Sequence, residues 1–179
     1  MAYIEVKKKA EDGSGIVPLS QTSLIPLLSA DSPNVISSGY AFDAPAWHAF
    51  DGLETVWVSN LNTSPNTRYI GYKFSEPVLC NKIKLLYKNE HAYFKDQYPA
   101  RYKIQGSNDN GTTWTDIYED FWVPVETGSP TTAIRELTFE NSTAYSCYRL
   151  LFGLIGPDNM NYLVLGELNF YQVVYGALT

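Results

Sequence analysis

Apolar and polar positions in this chain mostly alternate with a period of two, in short runs separated by turn residues. From Tyr69 to Phe74, the residues Ile70, Tyr72 and Phe74 share one side. From Lys82 to Lys88, Ile83, Leu85 and Tyr87 oppose Lys82, Lys84 and Lys88, the pattern of a half-exposed strand. Further strands are predicted at Arg101–Ser107, Thr113–Tyr118, Ile134–Glu140, Tyr145–Phe152 and Leu163–Val173. In the last of these, Val164, Leu168 and Phe170 face one way and Glu167 the other. Tyr3–Val6 has the composition of a short strand. Ile16–Leu28 is apolar but holds Pro18 and Pro26, so it reads as an edge strand or an extended arm. Turns are expected at Asp12-Gly13, Glu76-Pro77 and Asn108-Asp109-Asn110-Gly111, and loops at Ser29–Tyr40 and Phe121–Pro130. No long helical period appears. Many short strands punctuated by Gly, Pro and Asn predict an all-β sandwich.

One stretch breaks the alternation. Pro45–Ser59, PAWHAFDGLETVWVS, sets Trp47, Phe50, Leu53, Val56 and Trp57 at no regular spacing, and Pro45 and Gly52 forbid a long helix. An irregular segment this apolar must bury part of itself, and its backbone groups then need partners. Neighbouring side chains are one source. The other is a cation that takes backbone carbonyls together with Asp51 and Thr55.

Composition narrows the function. The 179 residues fit one domain, or one domain with an arm, and can bury a core without disulfides. Aromatic residues make up 15%, with 14 Tyr and 4 Trp, which suits half-buried strands and recognition surfaces alike. A net charge of −6 argues against nucleic acid or an anionic membrane as the main partner. Lys7-Lys8-Lys9 reads as a solvated edge. Cys80 and Cys147 form no metal motif; they read as two buried free thiols, with a single long-range bridge as the alternative. MAYIEVKKK has no apolar stretch after its charges, so no signal peptide is expected, and no run suits a membrane span. Two histidines, no GxSxG, no zinc spacing and no glycine-rich phosphate loop leave catalysis without a candidate. Asn-x-Ser/Thr tripeptides at Asn62, Asn110 and Asn141 matter only in a secreted eukaryotic protein.

Three motifs in order, AFDG with T-x-W, then YPARYKIQGSNDNGTTWTDI, then YRLLF with LGELNFY, resemble a discoidin domain. This is the coagulation factor V/VIII type C family, which includes the family 32 carbohydrate-binding modules. The resemblance covers Leu28 to Gln172. It implies a jelly-roll β-sandwich of about eight main strands over residues 28–179, with ligand loops at one end. Residues 1–27 are left as an N-terminal arm or extra strand.

The resemblance also implies a structural calcium. Asp51 and Thr55 would give side-chain oxygens, Glu167 would reach in from the last strand, and carbonyls of Phe50, Leu53 and Gly166 would complete the shell. The family's usual acid or Asn two positions after the aspartate is Leu53 here, and the segment to Thr55 is one residue shorter. In the alternative reading Asp51 caps the turn and Glu167 accepts hydrogen bonds from it. Sugar-binding members use shallow loop sites, with an aromatic ring against a pyranose and polar groups on its hydroxyls. Candidate loops are Tyr40–His48, Asn60–Arg68, Asn89–Tyr98 and Pro157–Tyr162. The residues nominated are Trp47, His48, Asn89, His91, Tyr93, Phe94, Asn161 and Tyr162. Trp57 and Trp114 match core framework positions, Arg149 a framework arginine paired with a carboxylate, and Trp122 a second aromatic contact or subunit interface.

The expected function is a non-enzymatic carbohydrate-binding module or adhesin whose partner is a cell-surface glycan or polysaccharide. The alternative is a structural or protein-binding part of a larger assembly, such as a phage virion or tail. Extracellular or virion-associated placement is expected of a phage protein or a trimmed module, and cytoplasmic placement otherwise. Phospholipid binding through loop aromatics fits the acidic charge poorly.

Overall fold

The computed structural model describes residues 16–53, 55–60, 66–89, 97–122, 131–155 and 162–177. The alternating segments pair into two main antiparallel sheets. One contains β1 (Ile16–Ser23), β5 (Lys82–Asn89), β8 (Thr131–Thr138) and β11 (Glu167–Ala177), in the order β1-β11-β5-β8. The other contains β2 (Val35–Ser37), β4 (Arg68–Val78), β6 (Pro99–Ser107), β7 (Thr115–Phe121) and β9 (Tyr145–Ile155), in the order β2-β4-β9-β6-β7. A short ladder joins β3 (Trp57–Val58) to β10 (Val164–Leu165). Eight of these strands are long and three are short, which is the sandwich that the alternation predicts.

The inward-facing set of each sheet makes the core. Ile83, Leu85 and Tyr87 of β5 are fully buried beside Leu168 and Phe170 of β11. Facing them are Ile70 of β4, Tyr102 and Ile104 of β6, and Tyr148 and Leu150 of β9, all fully buried. Each aromatic ring here removes roughly 150–250 Å² from water, so few side chains suffice to fill the sandwich. Tyr148 closes the core at one end, where its hydroxyl donates to the Val78 carbonyl (2.9 Å) and accepts from the Cys80 amide (3.2 Å). Cys80 and Cys147 are buried free thiols, and burial pushes the Cys80 thiol up to about 12. The seam between β7 and β8 is tied by a fork. Arg135 Nε and Nη2 each donate to the Asp120 carboxylate at 2.9 Å, and Tyr102 donates to it at 2.7 Å.

The register sorts the loops into two ends. Asn89 pairs with Thr131 and Arg68 with Phe152, so the ends of β5 and β9 and the starts of β4, β6 and β8 share one end. Lys82 pairs with Thr138 and Ser107 with Cys147, which defines the other. Arg68, Asn89, Pro99 and Ile155, which flank three of the four candidate ligand loops, lie at the first end, while residues 61–65, 90–96 and 156–161 are outside the described residues. The Tyr40–Ser59 bridge ties the start of the fourth loop to the end of β3.

Several local expectations change. Glu76-Pro77 is no turn, because β4 continues to Val78 with its register slipping between Lys73 and Val78, and that slip accommodates a proline without an N–H. Ser29–Tyr40 contains β2, three residues too short to carry a period. Phe121 ends β7 instead of opening a loop. Leu163–Val173 breaks at Gly166 into β10 and β11, and Glu167 is buried although it opposes the core-facing set. Ile16–Ser23 is an edge strand on β11. Tyr3–Val6 and the Asp12-Gly13 turn lie outside the described residues.

Candidate functional site

The irregular stretch singled out in the sequence folds as a 3-10 helix, Ala46–Phe50, entered through Pro45. Ala49 and Phe50 are buried, while Trp47 and His48 are half-buried with ring centroids 4.3 Å apart, edge to face. His48 Nδ1 donates to the Val56 carbonyl (3.2 Å), so this imidazole holds the return of the chain into β3. Trp57 is fully buried, as its framework position implies, and its indole donates to the Gly39 carbonyl (3.1 Å).

The turn just before this helix projects outward. Ala41 N donates to Val58 O and Val58 N to Ala44 O, which pins both sides of the turn on β3. At its tip Phe42 (φ 57°) and Asp43 (φ 53°) both take the left-handed conformation that non-glycine residues avoid. Such strain persists only where the surroundings impose it, and it concentrates at ligand sites. Phe42 is 64% exposed and Tyr40 is 56% exposed. The Phe42 ring lies 4.9 Å from that of Tyr162, inclined at 57°. Together they form an aromatic step beside β3 and β10.

Of the residues nominated from sequence, Tyr162 belongs to this step, and Trp47 and His48 lie in the 3-10 helix. Asn89 is the last residue of β5. His91, Tyr93, Phe94 and Asn161 lie outside the described residues. Sequence reasoning named the Tyr40–His48 loop but passed over Tyr40, Phe42 and Asp43. The available signal was an aromatic and an acid directly before Ala44-Pro45, a setting for a tight turn.

A second feature lies at the corner between the helix and β11. Asp51 is 5% exposed and caps the turn, with Leu53 N donating to Oδ1 (2.8 Å) and Thr55 Oγ1 donating to Oδ2. Glu167 is 8% exposed and faces this carboxylate and the Gly52 and Leu53 amides, yet neither of its oxygens closes a hydrogen bond. Burial, with the Asp51 charge beside it, pushes the Glu167 carboxyl up to about 7. Two adjacent buried acids, of which Glu167 has both oxygens orphaned, are unfavourable unless a proton or a cation joins them. Among the described residues no cluster of three or more His, Cys, Asp or Glu could hold a metal. The remaining donors would be neutral oxygens: the Thr55 hydroxyl and backbone carbonyls. The Phe50 carbonyl already accepts from Leu28 N (2.9 Å) and keeps a second lone pair. This donor set fits a hard cation such as calcium and suits no soft metal.

Two aromatic assignments and one arginine assignment are corrected. Trp114 is not in the core. It is half-buried on the outer face, where its ring stacks on the Arg149 guanidinium (4.0 Å) and its indole donates to Gly111 O. Arg149 lies between Trp114 and Tyr69 and donates from Nε to Gln105 Oε1 (2.7 Å). Gln105 in turn donates to Asp116, so the carboxylate is reached through an amide and not directly. Trp122 is 8% exposed and therefore no surface contact. Strand parity explains the arginine, because Arg149 lies one residue from buried Tyr148, on the face turned away from the core. Trp114 and Trp122 lie just beyond the two ends of β7, where no strand period applies.

Solved structures with this architecture include the family 32 carbohydrate-binding module of C. perfringens NanJ in complex with galactose. It is 17% identical, covers 77% of this chain and 92% of its own, and has a TM-score of 0.59. CpGH89CBM32-5 from Clostridium perfringens, in complex with GalNAc-β-1,3-galactose, is 20% identical over 77% and 94%, with a TM-score of 0.58. Chitosan-binding module 1 of a chitosanase/glucanase from Paenibacillus sp. IK-5 is 27% identical over 77% and 93%, with a TM-score of 0.57. No curated protein matches the chain. The F5/8 type C domain model matches residues 29–148, from just before β2 into β9. By that match and by its antiparallel sandwich, this chain belongs to the F5/8 type C, or discoidin, domain family.

Proposed function

We propose that this chain is a non-catalytic carbohydrate-binding module that holds a glycan at the loop end of the sandwich. The observation that carries the reading is the aromatic step of Phe42 and Tyr162, pinned on β3 and held in a strained backbone. A pyranose offers a C–H face to such rings and a fixed set of hydroxyls to the polar groups around them. Relatives that bind galactose, GalNAc-β-1,3-galactose and chitosan support the class of ligand. Those glycans differ in charge, so the kind of sugar has to come from the residues of this chain. A single shallow site binds weakly, and useful affinity then comes from repeated presentation. The test is a glycan array probed with a multivalent form of the protein, with Phe42→Ala beside wild type. Binding to one sugar class that falls at least about tenfold in Phe42→Ala is expected. Silence across neutral, amino and acidic sugars would overturn the reading.

Calcium belongs to the same proposal. Asp51 and Glu167 would hold it, with Thr55 and the carbonyls of Phe50, Leu53 and Gly166 filling the shell. The support is the pair of orphaned Glu167 oxygens facing a buried Asp51. The ion would neutralise both acids and tie the helix to β11, a structural role.

A further inference from the structure

The turn that carries the aromatic step also carries a charge. Asp43 follows Phe42 directly, shares its left-handed backbone and is exposed. Among the described residues no donor or cation engages its carboxylate. The acids at other tight turns behave differently. Asp109 accepts from Thr112, Thr113 and Ser107, and Asp51 accepts from Leu53 and Thr55. Those carboxylates build their turns, whereas the turn at Asp43 is held by backbone bonds: Ala44 N to Ala41 O, Ala41 N to Val58 O and Val58 N to Ala44 O. The side chain is therefore free for a ligand. Arg68, which opens β4 at the same end, is 2% exposed and so withheld from the surface.

We infer that the glycan is a cationic hexosamine, a sugar bearing a free amine. Its ring face lies on Phe42 and Tyr162, and its ammonium pairs with Asp43. This deepens the glycan reading above and rests on it. Chemistry separates the classes of sugar. A uronic or sialic acid meets a like charge at Asp43 and in the net charge of −6. An N-acetylated sugar has lost the charge that Asp43 would attract. A free amine gains from both, and its gain is weakened by salt.

The experiment compares a β-1,4-linked glucosamine oligomer with its fully N-acetylated counterpart of equal length. Binding to the whole chain is measured by calorimetry at mildly acidic pH, at low and at high salt. At low salt the amine form should bind about five-fold more tightly, the scale of one exposed ion pair. That ratio should approach one at high salt and in Asp43→Asn, since asparagine accepts the left-handed backbone and the variant removes only the charge. Glu140→Gln, at an exposed acid just beyond β8 at the opposite end, should leave the ratio as it is. If Glu140→Gln lowers it as much as Asp43→Asn, the attraction is net charge alone and the inference falls. Equal or tighter binding of the N-acetylated oligomer, or of a neutral sugar on the array, also overturns it but leaves the glycan reading standing. If no glycan of any class binds, both fall together.

Discussion

Asp51 and Glu167 decide whether the irregular stretch is a metal site or a capped turn. If a cation joins them, Asp51→Ala removes a charged ligand and should lower Tm in calcium by roughly 4–8 °C, the scale of about 2 kcal/mol in a chain of this length. With excess chelator only the bonds from Leu53 N and Thr55 remain to be lost, about 1 kcal/mol. Loss of the like charge beside Glu167 offsets part of that. Thermal melts of both proteins, with calcium and with chelator, should therefore show the gap shrinking when the ion is removed. A gap of the same size in both conditions would leave Asp51 as a cap only.

At the scale of elements, the close contact of β4 and β9 depends on Gly71. A Cβ there would lie 2.1 Å from the Tyr148 carbonyl oxygen and 2.7 Å from the Arg149 Cα, so the ladder itself would have to part. Gly71→Ala should cost roughly 3 kcal/mol or more, the range of severe core strain. Gly153, in β9, is a fair comparison, because its added Cβ would meet only side-chain atoms at 3.3 Å and beyond. Gly153→Ala should cost less than about 1 kcal/mol. Urea midpoints measure both, and similar losses would contradict the packing described for these strands.

For the whole molecule, the strand outside the family match matters because of where it pairs. β1 covers the outer edge of β11 from Ser23↔Tyr171 to Ile16↔Ala177. Deleting residues 1–23 bares that row of backbone donors and acceptors along a strand whose Leu168, Phe170 and Val173 are buried. The shortened chain should melt at a lower temperature and self-associate more than the full chain, as read by light scattering across a concentration series. Unchanged melting and association would mean that β1 adds nothing to the sheet.

What the sequence determined by itself was most of the long strands and their inward faces, but not the short β2, β3 and β10. Ile83, Leu85 and Tyr87, or Ile70 and Tyr72, show their burial by a period of two, because a sheet with one face in the core forces that spacing on any chain. The motifs likewise fixed the family and the burial of Trp57. Tertiary structure decided the rest. Glu167 has a strand's outward parity and is nonetheless buried, because a segment more than a hundred positions earlier folds over it, and no local pattern encodes such a cover. Trp114 and Trp122 flank the two ends of β7, yet one stacks on a guanidinium outside and the other is enclosed. Phe42 and Asp43 became visible as a site only once β3 held both sides of their turn and set the Tyr162 ring beside them. Periodicity records which side of a strand faces inward; which loops meet at the end of a sandwich depends on the register between strands distant in sequence.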